Sequence, residues 1–203
     1  MIGEDFAGIL GTDRGKSYDA KELLNVKQQK CLSHIFRSIN DVLEKQQGPD
    51  DFFGVTLKSF LKEALELYKA FHDPEKKVPD YWRRVQELEK QVSHLLRNRK
   101  LSNEENRRLL KELRRHHKRS NLLRFLHEPT VIEPTNNAAE RALRPAVIAR
   151  KVSHCSKNKK GAEAFSAFKS VIETIKKQGG DVVEKLSELI RGGPLPVPKP
   201  QGI

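Results

Sequence analysis

The 203-residue sequence lacks the features of disulfide-stabilised and membrane-spanning proteins. It has only two cysteines, Cys31 and Cys155, so it cannot contain the framework of several disulfides that holds small secreted domains together. It has no apolar run near the roughly 20 residues that a transmembrane helix needs, and no secretory-type leader. These absences exclude both classes and predict a reduced, cytoplasmic setting without a membrane partner.

Positive charge, in contrast, is present in excess. The 39 lysines and arginines outnumber the 27 acidic residues, and the formal net charge is +12 at pH 7. Residues 81–124 hold 14 of the basic residues and five glutamates. This density favours a polyanionic partner, of which nucleic acid is the commonest in a cytosol. The alternative is a solvated helical face of mixed charge, with His116 and His117 as solvated members of it.

Apolar spacing predicts a short strand followed by helices. Residues 6–12, "FAGILGT", predict a strand whose C-terminal end carries Asp13. From residue 20 to about residue 45 the apolar residues approach a 3.6-residue period, clearest after Cys31, and this indicates a helix. Asp13 is therefore expected to lie at the C-terminal end of the strand, and a helix is expected to follow it in the chain.

The central region is predicted to be entirely helical. Its apolar stripes indicate helices over residues 53–71, 79–99 and 102–126. The third of these is expected to begin with a capping box formed by Ser102 and Glu105. Thin apolar stripes and charged faces suit a helical hairpin better than a sheet.

The C-terminal third is predicted to combine helices with one extended segment. A helix carries Glu140, and Pro145 is expected to stop or kink it. The residues after Pro145, "AVIARKVSHCS", are β-branched enough for an extended segment. Further helices are predicted over residues 162–178 and 182–190, and the tail "GGPLPVPKPQGI" is expected to be disordered.

The stretch "NNAAERALRP", residues 136–145, is unusually polar for the start of a helix. A local interpretation is that Asn137 caps the helix by accepting a hydrogen bond from the Glu140 N–H, while Glu140 reaches back as in a capping box. This interpretation leaves four residues unexplained: Asn136, Arg141, Arg144 and Pro145. The rest of the sequence has to account for them.

Three stretches together resemble the insertion-sequence 66 family of bacterial transposases. "NNAAERALRP" resembles that family's N-N-x-A-E-R-x-[IL]-R-P signature around a catalytic glutamate, here Glu140. "GTDRGKSYDA" is similar to its strand-end aspartate followed five residues later by a tyrosine, here Asp13 and Tyr18. "CLSHIFR" is similar to its Cys-x-x-His element, matched by Cys31 and His34. The residues that match the first signature are Asn136, Asn137, Ala139, Glu140, Arg141, Leu143, Arg144 and Pro145.

The resemblance implies an α/β, ribonuclease H-like catalytic core with an Asp-Asp-Glu triad. This chain is expected to hold an incomplete version of that core and to be predominantly α-helical because of a helical insertion. Asp13 and Glu140 are then the catalytic residues and the metal ligands. The metal is expected to be Mg²⁺, with Mn²⁺ as a substitute, because hard oxygen ligands suit both ions. The implied activity is metal-dependent cleavage and strand transfer of DNA in the bacterial cytoplasm.

In the family the first acid of the triad comes from a strand upstream of Asp13. Only twelve residues precede Asp13 here, so the chain is expected to be the C-terminal half of a transposase and to be inactive alone. Its expected partners are DNA and either a second copy or the part carrying the first aspartate. The predicted divisions are 1–45 (partial core with the Asp13 strand), 46–126 (basic helical insertion), 127–178 (core continuation with the Glu140 helix) and 179–203 (C-terminal helix and tail).

Four cations near Glu140 are expected to contact DNA phosphates. These are Arg141, Arg144, Arg150 and Lys151. Phosphate contacts position a substrate without reading its sequence. A different function stays open, in which the chain is a non-catalytic basic helical module that binds nucleic acid or a parent transposase.

Cys31, His34, His154 and Cys155 supply the ligand types of a Cys₂His₂ zinc site. We favour a different interpretation, in which Cys31 is a small buried thiol and His34 lies against the floor of the active site. Two adjacent residues, as in the pair at 154 and 155, are also awkward ligands for one ion.

Overall fold

A computed structural model describes residues 6–45, 51–76, 78–97, 99–152 and 158–194. The chain forms two compact units, Met1–Arg141 and Ala142–Ile203. The described elements are, in chain order, β1 (Ile9–Thr12), β2 (Lys27–Lys30), α1 (Leu32–Lys45), α2 (Asp51–His72), α3 (Tyr81–Leu95), α4 (Glu104–Lys118), α5 (Arg124–His127), α6 (Asn137–Val152), α7 (Lys159–Lys177) and α8 (Val182–Ile190). The chain is thus mostly helical, as predicted, and the ribonuclease H-like assignment stays a prediction.

The two strands pair in parallel. Ile9 lies opposite Lys27 and Thr12 opposite Lys30, so both strands end at the same edge of the sheet. The strand before Asp13 is confirmed at Ile9–Thr12. The helix predicted from residue 20 is wrong before Cys31, because that segment holds two 3₁₀ turns (Lys16–Asp19 and Lys21–Leu23) and then β2.

The second strand escaped prediction because its sequence, "KQQK", has no apolar alternation. Its outer edge is satisfied by the segment after α4 instead of by a third strand. The Lys30 N–H donates to the Asn121 carbonyl at 2.7 Å, and the Gln29 side-chain amide donates to the Leu122 carbonyl at 3.0 Å. Arg124 Nε donates to the Gln28 carbonyl at 3.1 Å. A buried polar strand is stable here because its hydrogen-bonding groups find partners.

Helices α1 to α5 enclose one hydrophobic core. Helix α1 contributes Leu32, Ile35, Ile39 and Val42, whose spacing of three and four residues places them on one helical face. Helix α2 packs between α1 and α3, and Gly54 permits a close approach to α1, since a Cβ there would lie 2.9 Å from Leu43 Cδ2. The region predicted as an insertion therefore supplies most of the core of the first unit.

Helix α4 begins and ends differently from the prediction. Its N-cap is Asn103, whose Oδ1 accepts from the Glu105 N–H at 2.7 Å, so the predicted Ser102 capping box is wrong. The helix ends at Lys118 rather than at residue 126. Ser120 adopts a left-handed φ of 55°, which turns the chain so that the next residues run beside β2.

Helix α6 continues through Pro145 to Val152, so the predicted stop and extended segment are wrong for the described residues up to Val152. Proline removes one backbone donor from the helix. Good helix formers around it, among them Ala142 and Ala146, favour continuation. The Glu140 N–H donates to the Asn136 carbonyl at 3.0 Å, so Asn136 occupies the N-cap position that was predicted for Asn137.

The remaining helices agree closely with the sequence pattern. Helix α7 ends at Lys177 just before Gly179, whose φ of 72° is left-handed. Helix α8 spans Val182–Ile190 as predicted, with Asp181 as its N-cap. Most of the predicted tail lies outside the described residues. None of the described helices is long and apolar enough to cross a membrane.

Candidate active site

Asp13 directly follows β1, at the edge where both parallel strands end. Its Oδ1 accepts a hydrogen bond from the Gly15 N–H at 2.7 Å. A Cβ at Gly15 would lie 2.9 Å from this same oxygen, so glycine is what allows the close approach. The carboxylate of Asp13 is therefore held at the strand end by its own turn. We call residues 13–19 the Asp13 loop.

A series of contacts brings the signature glutamate to the same edge of the sheet. The Cys31 N–H, directly after β2, donates to the Thr12 carbonyl at 2.7 Å. The Asn136 N–H in turn donates to Cys31 Sγ at 3.4 Å. One turn along α1, His34 Nε2 lies 3.6 Å from Glu140 Oε1. The three sequence stretches that carry the family resemblance thus meet in space.

Two polar atoms of the residues that link Glu140 to the sheet edge are buried and lack a hydrogen-bond partner among the described residues. They are Asn136 Oδ1 and His34 Nδ1. An uncompensated buried oxygen is costly unless a ligand or water satisfies it. Asn136 Oδ1 and the carboxylates of Asp13 and Glu140 are hard oxygen donors of the kind that Mg²⁺ and Mn²⁺ prefer. The chemistry of these donors matches the expected cation, while the metal site itself stays a prediction.

Within the described ranges, no group of three or more histidine, cysteine, aspartate and glutamate side chains is arranged to hold a metal ion. Cys31 is a free, buried cysteine. His154 and Cys155 lie outside the described residues. The zinc alternative therefore gains no support, while Asp13 and Glu140 as metal ligands stay a prediction.

Sequence reasoning missed the ion pairs that surround the Asp13 loop. Arg14 makes a two-pronged pair with Glu112 of α4, with Nε to Oε1 at 2.7 Å and Nη2 to Oε2 at 2.5 Å, and it also donates to Ser38 Oγ. At the other end of the loop, Asp19 accepts from Arg115 of α4 at 2.6 Å. The Arg14–Glu112 and Asp19–Arg115 pairs join residues that are 98 and 96 positions apart, so no local spacing in the sequence predicts them.

The carboxyl of Glu112 is strongly perturbed. Burial alone raises its pKa, but the hydrogen bonds and positive charge of Arg14, together with the nearby His116, outweigh burial and lower the pKa to about 2. His116 itself is buried, so its prediction as a solvated residue is wrong. Its position at Glu112 plus four places it on the inner face of α4. No such burial is apparent from the basic sequence "RRHHKR".

Lys30, the last residue of β2, is fully buried. Its Nζ lies 3.6 Å from Asp19 Oδ1 and 5.8 Å from the centre of the Tyr18 ring. Burial lowers its pKa, partly offset by the negative charges of Asp19 and Asp13. Asp19 is thus the ion-pair partner of two cations, Arg115 and Lys30, at the candidate site.

The four predicted phosphate-binding residues are exposed along α6. Arg141 immediately follows Glu140 in the first unit, and Arg144, Arg150 and Lys151 belong to the second unit. A separate basic surface lies on α3 and α4, where most lysines and arginines are exposed. Its members include Arg83, Arg84, Lys90, Arg107, Arg108, Lys111, Arg115 and Lys118. Both sets remain accessible to a polyanion.

Comparison with known proteins identifies the group to which this sequence is related. Residues 1–164 match the family described as "Transposase IS66 family". No match was found among curated proteins or among solved structures. The matched segment includes the Asp13 loop, the Cys31–His34 element and the Glu140 signature. Because this segment makes up more than half of the 203 residues, the chain belongs to the IS66 family of transposases.

Proposed function

We propose that this chain carries part of a metal-dependent DNA transposase site, in which Asp13 and Glu140 are catalytic carboxylates that bind Mg²⁺. The observation that carries the proposal is the set of contacts linking Thr12, Cys31, Asn136, His34 and Glu140 at one edge of the parallel sheet. Side chains at the carboxyl ends of parallel strands meet at one edge, which is where ligands bind in open α/β sheets. The substrate class is DNA, in the bacterial cytoplasm.

The chain's own residues hold and orient the two carboxylates. The Gly15 N–H fixes one oxygen of Asp13, and His34 faces one oxygen of Glu140. When bound, a pair of divalent metals activates the attacking oxygen and stabilises the leaving oxygen in phosphodiester cleavage. Two carboxylates do not complete the coordination shell of Mg²⁺. The remaining ligands would come from substrate phosphates, water and a partner chain that provides a further acid.

Removing either carboxylate should weaken binding of Mn²⁺, which reports on the site without any need for DNA cleavage. We expect D13N and E140Q each to raise the Kd for Mn²⁺ about tenfold or more, since each removes a charged ligand, as measured by loss of the free Mn²⁺ signal in electron paramagnetic resonance. D73N and E87Q, which change carboxylates elsewhere on the surface, serve as matched controls. Unchanged Mn²⁺ affinity in both D13N and E140Q would refute the metal-site assignment.

A second candidate function rests on the basic surface of α3 and α4. In it, the chain binds nucleic acid without catalysing a reaction, and the exposed cations contact backbone phosphates. The two functions are compatible, because a transposase must also hold its DNA. They differ in their dependence on the two carboxylates, which sequence-independent binding does not require.

Binding of duplex DNA should depend strongly on salt. If the basic surface neutralises two or more phosphates, we expect affinity to fall at least about tenfold between 50 mM and 200 mM salt because of counterion release. K111M, on exposed α4, should reduce the slope of log affinity against log salt by about one. K62M on α2 is the matched control, and fluorescence anisotropy gives the affinities. A flat response to salt would instead indicate a protein partner for this surface.

A further inference from the structure

We propose that helix α4 is the element that positions Asp13, with Glu112 and Arg115 as its positioning residues. The inference rests on the proposed function, because positioning matters only if Asp13 acts at the site. It concerns side chains that lie about a hundred residues from Asp13 in sequence. The evidence is a pair of ionic contacts that hold the Asp13 loop close to both of its ends.

The first contact lies next to Asp13 itself. Arg14 donates to both carboxylate oxygens of Glu112, at 2.7 and 2.5 Å, and its third nitrogen donates to Ser38 Oγ of α1. A two-pronged arginine–carboxylate pair fixes orientation as well as distance. Both partners are less than a third exposed, so solvent screens the pair less than it screens a surface pair. The backbone one residue from Asp13 is thus tied to α4 and α1.

The second contact lies at the far end of the loop. Asp19 Oδ2 accepts from Arg115 at 2.6 Å, while Asp19 Oδ1 lies 3.6 Å from the buried Lys30 Nζ. Lys30 belongs to β2, opposite Thr12, so this contact also ties the loop to the sheet. Asp19 therefore connects α4, the loop and the strand edge.

Glu112 and Arg115 are three residues apart and lie on one face of α4. The adjoining face of this helix is buried in the core through Leu109 and Leu113. A rigid helix that holds both ends of a short loop limits the backbone freedom of the residues between them. A metal site is effective when neighbouring residues hold the metal-binding side chains precisely in place.

The test measures hydrogen exchange of the loop and Mn²⁺ affinity in the full chain. We expect R115M and E112Q each to speed amide exchange of a peptide covering residues 14–19 about tenfold. Each should also raise the Kd for Mn²⁺ about tenfold, because loss of a residue that holds a metal ligand in place typically has an effect of this size. The matched control is E104Q, which breaks the exposed Arg108–Glu104 pair on the same helix and should change neither quantity. Because Arg115 is 48% exposed, R115M keeps the test valid even if E112Q fails to fold.

The outcomes separate this inference from the proposed function. Loop exchange that stays at the parent rate in R115M would overturn the positioning role of α4. Faster exchange with unchanged Mn²⁺ affinity would overturn it too, because the loop would then be held without consequence for Asp13. If D13N binds Mn²⁺ as tightly as the parent chain, the proposed role of Asp13 as a ligand fails, whereas loop exchange still reports whether α4 holds the loop.

Discussion

Truncating Phe125 to alanine is expected to lower the free energy of unfolding by about 3–5 kcal/mol, the usual range for replacing a buried aromatic side chain by alanine. Phe125 is fully buried, and its ring contacts Tyr68 edge-on with centroids 5.5 Å apart. Its backbone N–H donates to Gln29 Oε1 of β2 at 3.1 Å. The substitution leaves a cavity at the junction of α2, α5 and the sheet.

The size of this effect follows from the small total stability of a domain. Globular proteins are stable by about 5–15 kcal/mol, so losing 3–5 kcal/mol removes a large share. Urea unfolding followed by the fluorescence of Trp82, the single tryptophan, reports on the first unit. F52A is the matched control, because Phe52 is 70% exposed and its truncation should cost less than about 0.5 kcal/mol. Equal losses in F125A and F52A would show that this junction is not part of the core.

Replacing Glu112 by glutamine is expected to lower stability at pH 7 by about 2–3 kcal/mol. The pKa of Glu112 falls from its ordinary value of 4.5 to about 2, with burial opposed and outweighed by Arg14 and His116. Because the folded chain holds the charged form more tightly than the unfolded chain does, ionised Glu112 stabilises the fold. Glutamine keeps the shape of the side chain but removes the charge, and Arg14 loses its ionic partner.

The stability difference between parent and E112Q should depend on pH in one direction. The contribution of Glu112 is fully present above about pH 4.5, where both the folded and the unfolded chain are ionised. Below that pH the unfolded chain takes up a proton first, so the contribution declines and disappears as the pH falls through about 2. We expect the difference to shrink by about half between pH 7 and pH 3.

Urea titrations of both proteins at pH 7, 5, 4 and 3 measure this dependence. E104Q is the control, because the ion pair between Glu104 and Arg108 is exposed and contributes little to stability. A stability difference that stays constant from pH 7 to pH 3 would mean that the charge of Glu112 does not stabilise the fold.

The elements with strong apolar periodicity were predictable. Helices α2, α7 and α8 follow their apolar stripes closely, α1 does so only after Cys31, and Gly179 marks the end of α7. The strand before Asp13 was predicted from the apolar residues that precede it. In these segments local propensity and burial favour the same structure, so the sequence is sufficient to predict the secondary structure.

Predictions failed where a tertiary partner decides the local structure. The polar strand β2 exists because Asn121, Leu122 and Arg124 satisfy its outer edge, and the same pairing explains why α4 ends at Lys118 instead of continuing. Pro145 was expected to end α6, but the helix continues through it. Hydrogen bonds between segments some 90 residues apart leave no periodic trace in the sequence.

The sequence by itself determined the family, the predominance of helix, and the positions of Asp13 after a strand and of Glu140 near the start of a helix. It could do so because signatures and apolar periods are local properties. The tertiary structure alone decided that the Asp13, Cys31 and Glu140 stretches meet at one sheet edge. It alone also buried Lys30 and His116 and paired Arg14 and Asp19 with helix α4. The physical reason is that burial and ion pairing depend on distances in space, which the chain fixes only when its distant helices pack into one core.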